Sequence, residues 1–536
     1  MREDGPILRV LSAEIDMRLG QSFPLKRLLL GDRRKSLGSL LLGAGMLLLA
    51  GAMAQAADRA IPSVGAAVSY AGVCNVYGDG FFYIPGTDSC LKIGGLVYGE
   101  LQTAAPSYSV NGQSFEANGT PKGGGYVPGR NQYVTAGQRN RADFLMLGRV
   151  ELDARKETPY GLVRVFARAD SLFGPDDNGL ISGGPGATYD SNVRDAIVLN
   201  KAFLQFAGLT AGYAQSMFDF YADADNWGYL RGSDATVPLL AYTATFGKGF
   251  STTLSLEDHD WRRAAIGSTV ANYQAEPGTQ RVPDLVGNIR LDQPWGAAQL
   301  SGAAHQVRSD LFATTDGGAL GAEAKSNSDF GFAVQGGLEF NTDMIAPGDK
   351  LWLQAAYEKG AASYVDGNNL ASAYAPGNGS RNFGAGISPQ DYNFGWNPQL
   401  PSDCIYTGLT AATSTCAKSS GFSFTGAFKH YWTPTLSSAV FGSYLSTNYD
   451  PNALAGLGGA VGAVDTKETR IGGSLVWTPI KGLDIGTEFM YLHLSQSTPA
   501  GLAPNYGSTS LNAAGVPAFR NDSNEYEGRI RVQHAF

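Results

Sequence analysis

A chain of 536 residues with 40 basic and 48 acidic side chains, formal net charge −8, has no basic domain with which to hold nucleic acid. Charged residues are 16% of the total, against roughly 25% in soluble domains, while 70 residues are Gly. Gly and Pro together make 95 of 536 residues, short of the ~25–30% that marks low complexity, which excludes a disordered or collagen-like chain and leaves one of many short strands.

Lys26, Arg27, Arg33, Arg34 and Lys35 precede an apolar run over 37–49, and Ala52-Met53-Ala54 and Ala54-Gln55-Ala56 are small-x-small sites. This is the pattern of an export signal cleaved near Ala54 or Ala56. An uncleaved anchor is the rival, since the run is about long enough to span a membrane. The stretch before Lys26 is long for a signal, which makes Met17 an alternative start. The expected organisation is therefore an N-terminal extension and signal over 1–56, a pre-barrel segment over 57–89, and a barrel over 90–536. Cleavage after Ala56 leaves 32 basic and 43 acidic residues, net −11, and no later run of 18 apolar residues. Helical membrane proteins are thereby excluded. An exported soluble protein or an outer-membrane barrel remains, the latter having a much weaker signal per strand.

From there the chain alternates with period two, as strands do. In 140–156, Phe144, Met146, Val150 and Leu152 oppose Arg141, Asp143, Arg149, Glu151, Asp153 and Arg155. In 161–173, Val163, Val165 and Ala167 oppose Arg164, Phe166, Arg168 and Asp170. In 282–292, Leu285, Ile289 and Leu291 oppose Asp284, Asn288, Arg290 and Asp292. The last segment sets Tyr526, Ile530, Val532 and Phe536 against Glu525, Glu527, Arg529 and Arg531. One apolar face and one charged face suit lipid outside and water inside. Strands are expected at 91–104, 140–156, 161–173, 194–207, 210–218, 239–247, 250–258, 282–292, 297–308, 328–341, 349–360, 421–432, 436–447, 467–478, 483–495 and 525–536. This is an all-β, 16-stranded antiparallel transmembrane barrel, wide enough for an aqueous channel. Short turns alternate with long segments at 105–139, 174–193, 218–238, 258–281, 309–327, 360–420, 448–466 and 496–524. Trp295, Trp432 and Trp477 sit at short turns, as an aromatic girdle would.

Cys74, Cys90, Cys404 and Cys416 are disulfide candidates in an exported chain. Four cysteines allow three connectivities, and proximity suggests Cys74 with Cys90 and Cys404 with Cys416. No CxxC and no nearby His pair supports a zinc site, and no metal or cofactor is expected.

The run Val73-Cys74 through Tyr77-Gly78-Asp79-Gly80-Phe81-Phe82-Tyr83-Ile84-Pro85-Gly86-Thr87-Asp88-Ser89-Cys90 resembles the mature N-terminus of the general porins of alphaproteobacteria. Phe206-Ala207-Gly208-Leu209-Thr210-Ala211-Gly212-Tyr213 with Ser216-Met217-Phe218-Asp219-Phe220, and Pro283-Asp284-Leu285-Val286-Gly287-Asn288-Ile289-Arg290 with Gln293-Pro294-Trp295-Gly296, are similar to further stretches of that family. The resemblance covers about 70–536, and the 360–420 insertion departs from it. It implies a homotrimeric 16-stranded porin whose third loop folds into the lumen. It also makes the terminal Phe536 a signal for the barrel assembly machinery.

By strand order that loop is 216–238, with Asp219, Asp223, Asp225 and Asp234 as constriction acids. Arg141, Arg149, Arg155, Arg164, Arg168, Arg290, Arg529 and Arg531 are expected on the inner wall. Opposed acids and bases across a narrow gap set charge selectivity. The net charge and the acidic loop favour weak cation preference. A calcium site at Asp223-Ala224-Asp225 lacks the following Gly and Glu. The expected function is passive diffusion of ions and small hydrophilic solutes, with outer-membrane lipid and lipopolysaccharide as surroundings. The alternative is a substrate-specific channel. No GxSxG, HExxH or Walker A sequence supports an enzyme.

Overall fold

The computed structural model describes residues 72–105, 114–115, 121–122, 142–175, 193–279, 281–314, 320–366, 402–457, 462–497, 500 and 522–536. The export signal and Arg141 lie outside these residues.

Sixteen strands form the wall. They are β1 (Cys90–Ala105), β2 (Ala142–Thr158), β3 (Gly161–Pro175), β4 (Val193–Phe206), β5 (Leu209–Gln215), β6 (Thr236–Gly247), β7 (Phe250–Glu257) and β8 (Asp284–Gln293). The second half is β9 (Gly296–Thr314), β10 (Leu320–Asn341), β11 (Lys350–Lys359), β12 (Ser420–Thr433), β13 (Leu436–Asn448), β14 (Thr466–Ile480), β15 (Leu483–Gln496) and β16 (Asp522–Ala535). Each pairs antiparallel with the next, and β1 pairs with β16 from Leu96↔Ala535 to Ala105↔Tyr526, so the sheet closes on itself. Closure pairs every wall strand on both sides over at least part of its length, as a bilayer demands, and the shortest contact is between β4 and β5, confined to Ala202–Phe206 on β4.

Burial is inverted relative to a soluble protein. Val150, Leu152, Ile289, Leu300, Phe489 and Ile530 are exposed, while Glu100, Gln335, Gln354, Glu468 and Arg529 are buried. Residues paired across strands share a face, so the apolar set forms one continuous outer band. Trp295, Trp432 and Trp477 are exposed beside the short turns. Those turns need glycine where backbones meet: Gly249 and Gly296 have φ of +77° and +138°, and a Cβ would strike the carbonyl oxygens of Asp292 and Glu339.

Strand limits fall close to the expected ones, with one clear difference. The segment 309–327 was expected as a loop, but β9 runs to Thr314 and β10 begins at Leu320. The outer part of this hairpin pairs Ser309–Ala313 with the short strand Tyr273–Pro277 on its other side. Beyond the lipid a strand needs no apolar face, so its polar sequence reads as loop.

At the short-turn end, Phe81–Tyr83 pairs with β1 at Lys92–Cys90, and a Cys74–Cys90 disulfide closes this N-terminal knot. At the long-loop end, Ala265–Ser268, Ser402–Thr407 and Thr415–Lys418 form a three-stranded sheet, its hairpin closed by Cys404–Cys416. Ser402–Thr407 is buried at every residue, with Ile405 packed on Tyr449, Ala453 and Val464, so this strand is enclosed among the loops of the outer mouth.

Candidate pore constriction

The link between β5 and β6 turns inward because its anchors are inside. At its start Glu257 of β7 accepts from Ser216 Oγ (2.6 Å) and Met217 N (2.9 Å). Phe218 packs against Val286, Ala303, Ala333 and Tyr364, and its carbonyl accepts from Gln335 Nε2 at 2.8 Å. Tyr221 N donates to Gln354 Oε1 (2.9 Å), and Trp227 N and Gly228 N donate to Glu488 (2.7 and 2.6 Å). Arg231 makes a two-point bond to Glu468 at 2.8 Å, donates its backbone N–H to Ser443 Oγ (2.9 Å), and accepts from Thr425 Oγ1. The loop thus lies along the inner faces of β8–β16, and its backbone groups find wall side chains in place of water.

The four loop acids do not all face the channel. Asp219 accepts from Gln215 (2.6 Å), Ser233 Oγ (2.5 Å), Ala235 N (2.7 Å) and the guanidinium of Arg262 (2.8 Å), inside a buried clamp. Of the four expected constriction acids, Asp219 is turned into the protein and holds the loop shut on itself. Asp223 accepts from Asn226 Nδ2 (2.8 Å) and Leu230 N (3.3 Å), and burial, with Asp234 nearby, raises its carboxyl well above the usual range. Asp225 faces Lys429 at 3.5 Å, and burial outweighs that lysine to raise its carboxyl too. Asp234 accepts from Gln215 Nε2 at 2.7 Å and keeps partial exposure.

The arginines divide into two groups. Arg149 binds Asp170 through two bonds (2.8 and 2.9 Å), Arg155 and Arg164 share Asp153, and Arg168 pairs with Glu151. These four side chains keep 22–28% exposure on the inner faces of β2 and β3. Below them a cavity of about 400 Å³ is lined by Tyr77, Phe81, Lys92, Asp153, Arg155 and Arg164. Arg290 is part-exposed beside Asp292 and stands over the Phe220 ring. Arg529 and Arg531 are on the inner face but under the loop. Arg529 sits among Glu488, Glu527 and Glu100, and Arg531 lies between the rings of Tyr98 and Trp227 while bonding Glu100 at 2.5 Å.

Sequence reasoning missed Arg262, Glu468 and Arg470, and assigned no role to Arg231 or Glu488. The alternation Glu468, Arg470 opposite Ile471 was the available signal for the wall half of this set. The loop half had none. Among the described residues, His259, Asp284 and His305 bring three metal-capable donors together. The two imidazoles stack at 4.3 Å with 15° between planes, so a single ion cannot lie in the plane of both lone pairs.

A model of the family described as "Porin subfamily" matches residues 58–518. The chain belongs to the porin subfamily. Curated relatives include porin Omp2b of Brucella suis biovar 1 (strain 1330) and of Brucella abortus (strain 2308). Each is 27% identical over 361 residues, 63% of this chain and 89% of the relative. Among solved structures, the outer-membrane channel DcaP of Acinetobacter baumannii aligns over 85% of this chain and 99% of its own, at 12% identity and TM-score 0.48. The trimer form of OmpT from Vibrio cholerae covers 84% and 100%, at 9% identity and TM-score 0.41. This porin is a multi-pass β-barrel of the outer membrane and, by family, a channel. The terminal residue of the porin, Phe536, closes the seam by exchanging two 3.1 Å backbone bonds with Gly95.

Proposed function

We propose that this porin is a general diffusion pore whose solute path runs between the inward loop and the arginine-bearing wall of β2–β4. The observation that carries the reading is the one-sided seating of the loop: it covers β8–β16 and leaves Arg149, Arg155, Arg164 and Arg168 part-hydrated. Ions and small hydrophilic solutes would pass without a binding step, since the four wall arginines are already paired with carboxylates at about 3 Å. Selectivity is then weak. Lys92, Arg149, Arg155, Arg164, Arg168 and Lys201 outnumber Glu151, Asp153, Glu157 and Asp170 on the open wall, while Asp219 is buried and Asp223, Asp225 and Asp234 keep partial exposure. The sign this supports is a slight anion preference, opposite to the one expected from net charge.

We further propose that three copies associate through small outward residues such as Gly99, Gly148, Ala202 and Gly528. We also propose that lipopolysaccharide surrounds the barrel and that Phe536 serves assembly.

Planar-bilayer recording with a reversal potential across a KCl gradient tests the reading. Large ohmic steps in groups of three are expected, with an anion preference that weakens above ~0.15 M salt, where the screening length drops below ~8 Å. No steps from folded protein would make it a plugged barrel. Small steps blocked by one sugar or anion would make it a substrate-specific channel.

A further inference from the structure

The outer mouth holds a buried cluster that the pore does not use. His259 follows β7, Asp284 opens β8, His305 lies on β9, and Tyr364 and Asp403 come from the long link between β11 and β12. All five are at most 1% exposed. His305 Nδ1 contacts both oxygens of Asp284 (2.8 and 3.0 Å), and its Nε2 faces Asp403 Oδ2 at 3.4 Å. With carboxylates at both ring nitrogens, both carry protons and the ring is an imidazolium. His259 stacks on that ring at 4.3 Å and turns Nδ1 to Asp284 Oδ1 at 3.3 Å.

The cluster ties the mouth together. Tyr364 donates to Asp284 at 2.7 Å, and Asp403 accepts from Ala264 N (3.0 Å) and Ala362 N (2.9 Å), joining the two long loops. Three residues from His259, Arg262 binds Asp219 and Ser233 of the constriction loop at 2.8 Å and takes a bond from Ser363 on its carbonyl. The remaining charged neighbours are committed elsewhere. Glu257 holds Ser216 and Met217, and Glu358 accepts from Ala361 N.

We propose that this cluster is an acid-released latch: with His259 uncharged, the segments His259–Ser268 and Ser402–Thr407 are locked together at the outer mouth, and a proton on His259 drives it from His305 and frees them. Two like charges 4.3 Å apart in a dry site repel far more than in water. Burial, with His305 beside it, holds the His259 imidazole below its ordinary value near 6.5 despite Asp284 and Asp403. The sign follows. The released state binds the proton with ordinary affinity and the locked state resists it, so the lock is complete above about pH 6.5 and weakens as pH falls. One proton sets a limit of about tenfold in the released-to-locked ratio per pH unit.

The test compares conductance, and amide hydrogen exchange at Ser402–Thr407, at pH 7.5 and pH 5.0 in purified folded protein. Conductance should rise at pH 5.0. Protection, corrected for intrinsic exchange, should fall, by no more than the tenfold per pH unit below about pH 6.5 that one proton allows. His259→Gln, uncharged at both pH values, should keep the neutral-pH conductance and lose both responses. An unchanged acid response in that variant overturns the latch, as does unaltered protection of Ser402–Thr407 in the wild type, which decides the matter alone should the variant not fold. Normal conductance steps at both pH values with no pH response would sink the latch and leave the diffusion pore standing.

Discussion

Two walls of one barrel share a sequence pattern and end in opposite environments. On β2 and β3 the inward arginines keep about a quarter of their surface and sit in pairs that bulk water still reaches. On β14–β16 the inward charges Glu468, Arg470, Glu488, Glu527 and Arg529 are at most 2% exposed beneath the loop. The first arrangement is cheap, because channel water keeps each charge solvated. The second demands a partner for every charge, since an unpaired ion in a dry interior is costly. Charge on the open wall therefore shapes what passes, and charge on the covered wall fixes where the loop lies.

The sharpest way to break this contrast is to unpair the covered wall. Arg231→Met would leave Glu468 buried with Arg470 as its remaining partner, and removing one member of a buried pair costs about 3–5 kcal/mol. The expected outcome is a lower unfolding midpoint and larger, noisier conductance as the loop leaves β14. An unaltered channel would show that the loop is held by packing alone. On the open wall the same operation should do the reverse. Arg164→Ala with Arg168→Ala should change stability by no more than about 1 kcal/mol per part-exposed pair, yet move the reversal potential toward cations. If it destabilised the barrel as much as Arg231→Met, the two walls would not differ in kind.

The barrel was legible because lipid outside and water inside impose a period of two on nearly every strand. Leu285, Ile289 and Leu291 against Asp284, Arg290 and Asp292 carry that signal within ten residues. The constriction loop was legible only as a position in the strand order. Which of its acids meets water depends on partners far away in sequence. Asp219 is buried by Arg262 from the next long loop, and Trp227 and Gly228 are seated by Glu488 from β15. A run such as Asp223-Ala224-Asp225 looks the same whether it faces a channel or a wall, so composition put too much acid into the lumen. The outer half of β9 and β10 was lost for a related reason, since above the bilayer the two faces no longer differ in polarity.

The smallest effect expected is at Asp223, whose partners lie within the loop itself. Its carboxyl is raised by burial and by Asp234, so the folded loop holds a proton that the unfolded chain would release. Stability contributed by this group therefore falls as pH rises from the ordinary value near 3.8 through the raised one. Asp223→Asn keeps an acceptor for Asn226 and Leu230 and removes the charge, so at pH 7 it should lie within about 1 kcal/mol of wild type, on the stabilised side. Its reversal potential should shift slightly toward anions, by less than the double arginine variant shifts it the other way. Unfolding followed against pH distinguishes the cases: the wild type should lose stability through this window and the variant should not. A large selectivity change from Asp223→Asn would place that carboxylate in the solute path and return the acidic loop to control of the pore.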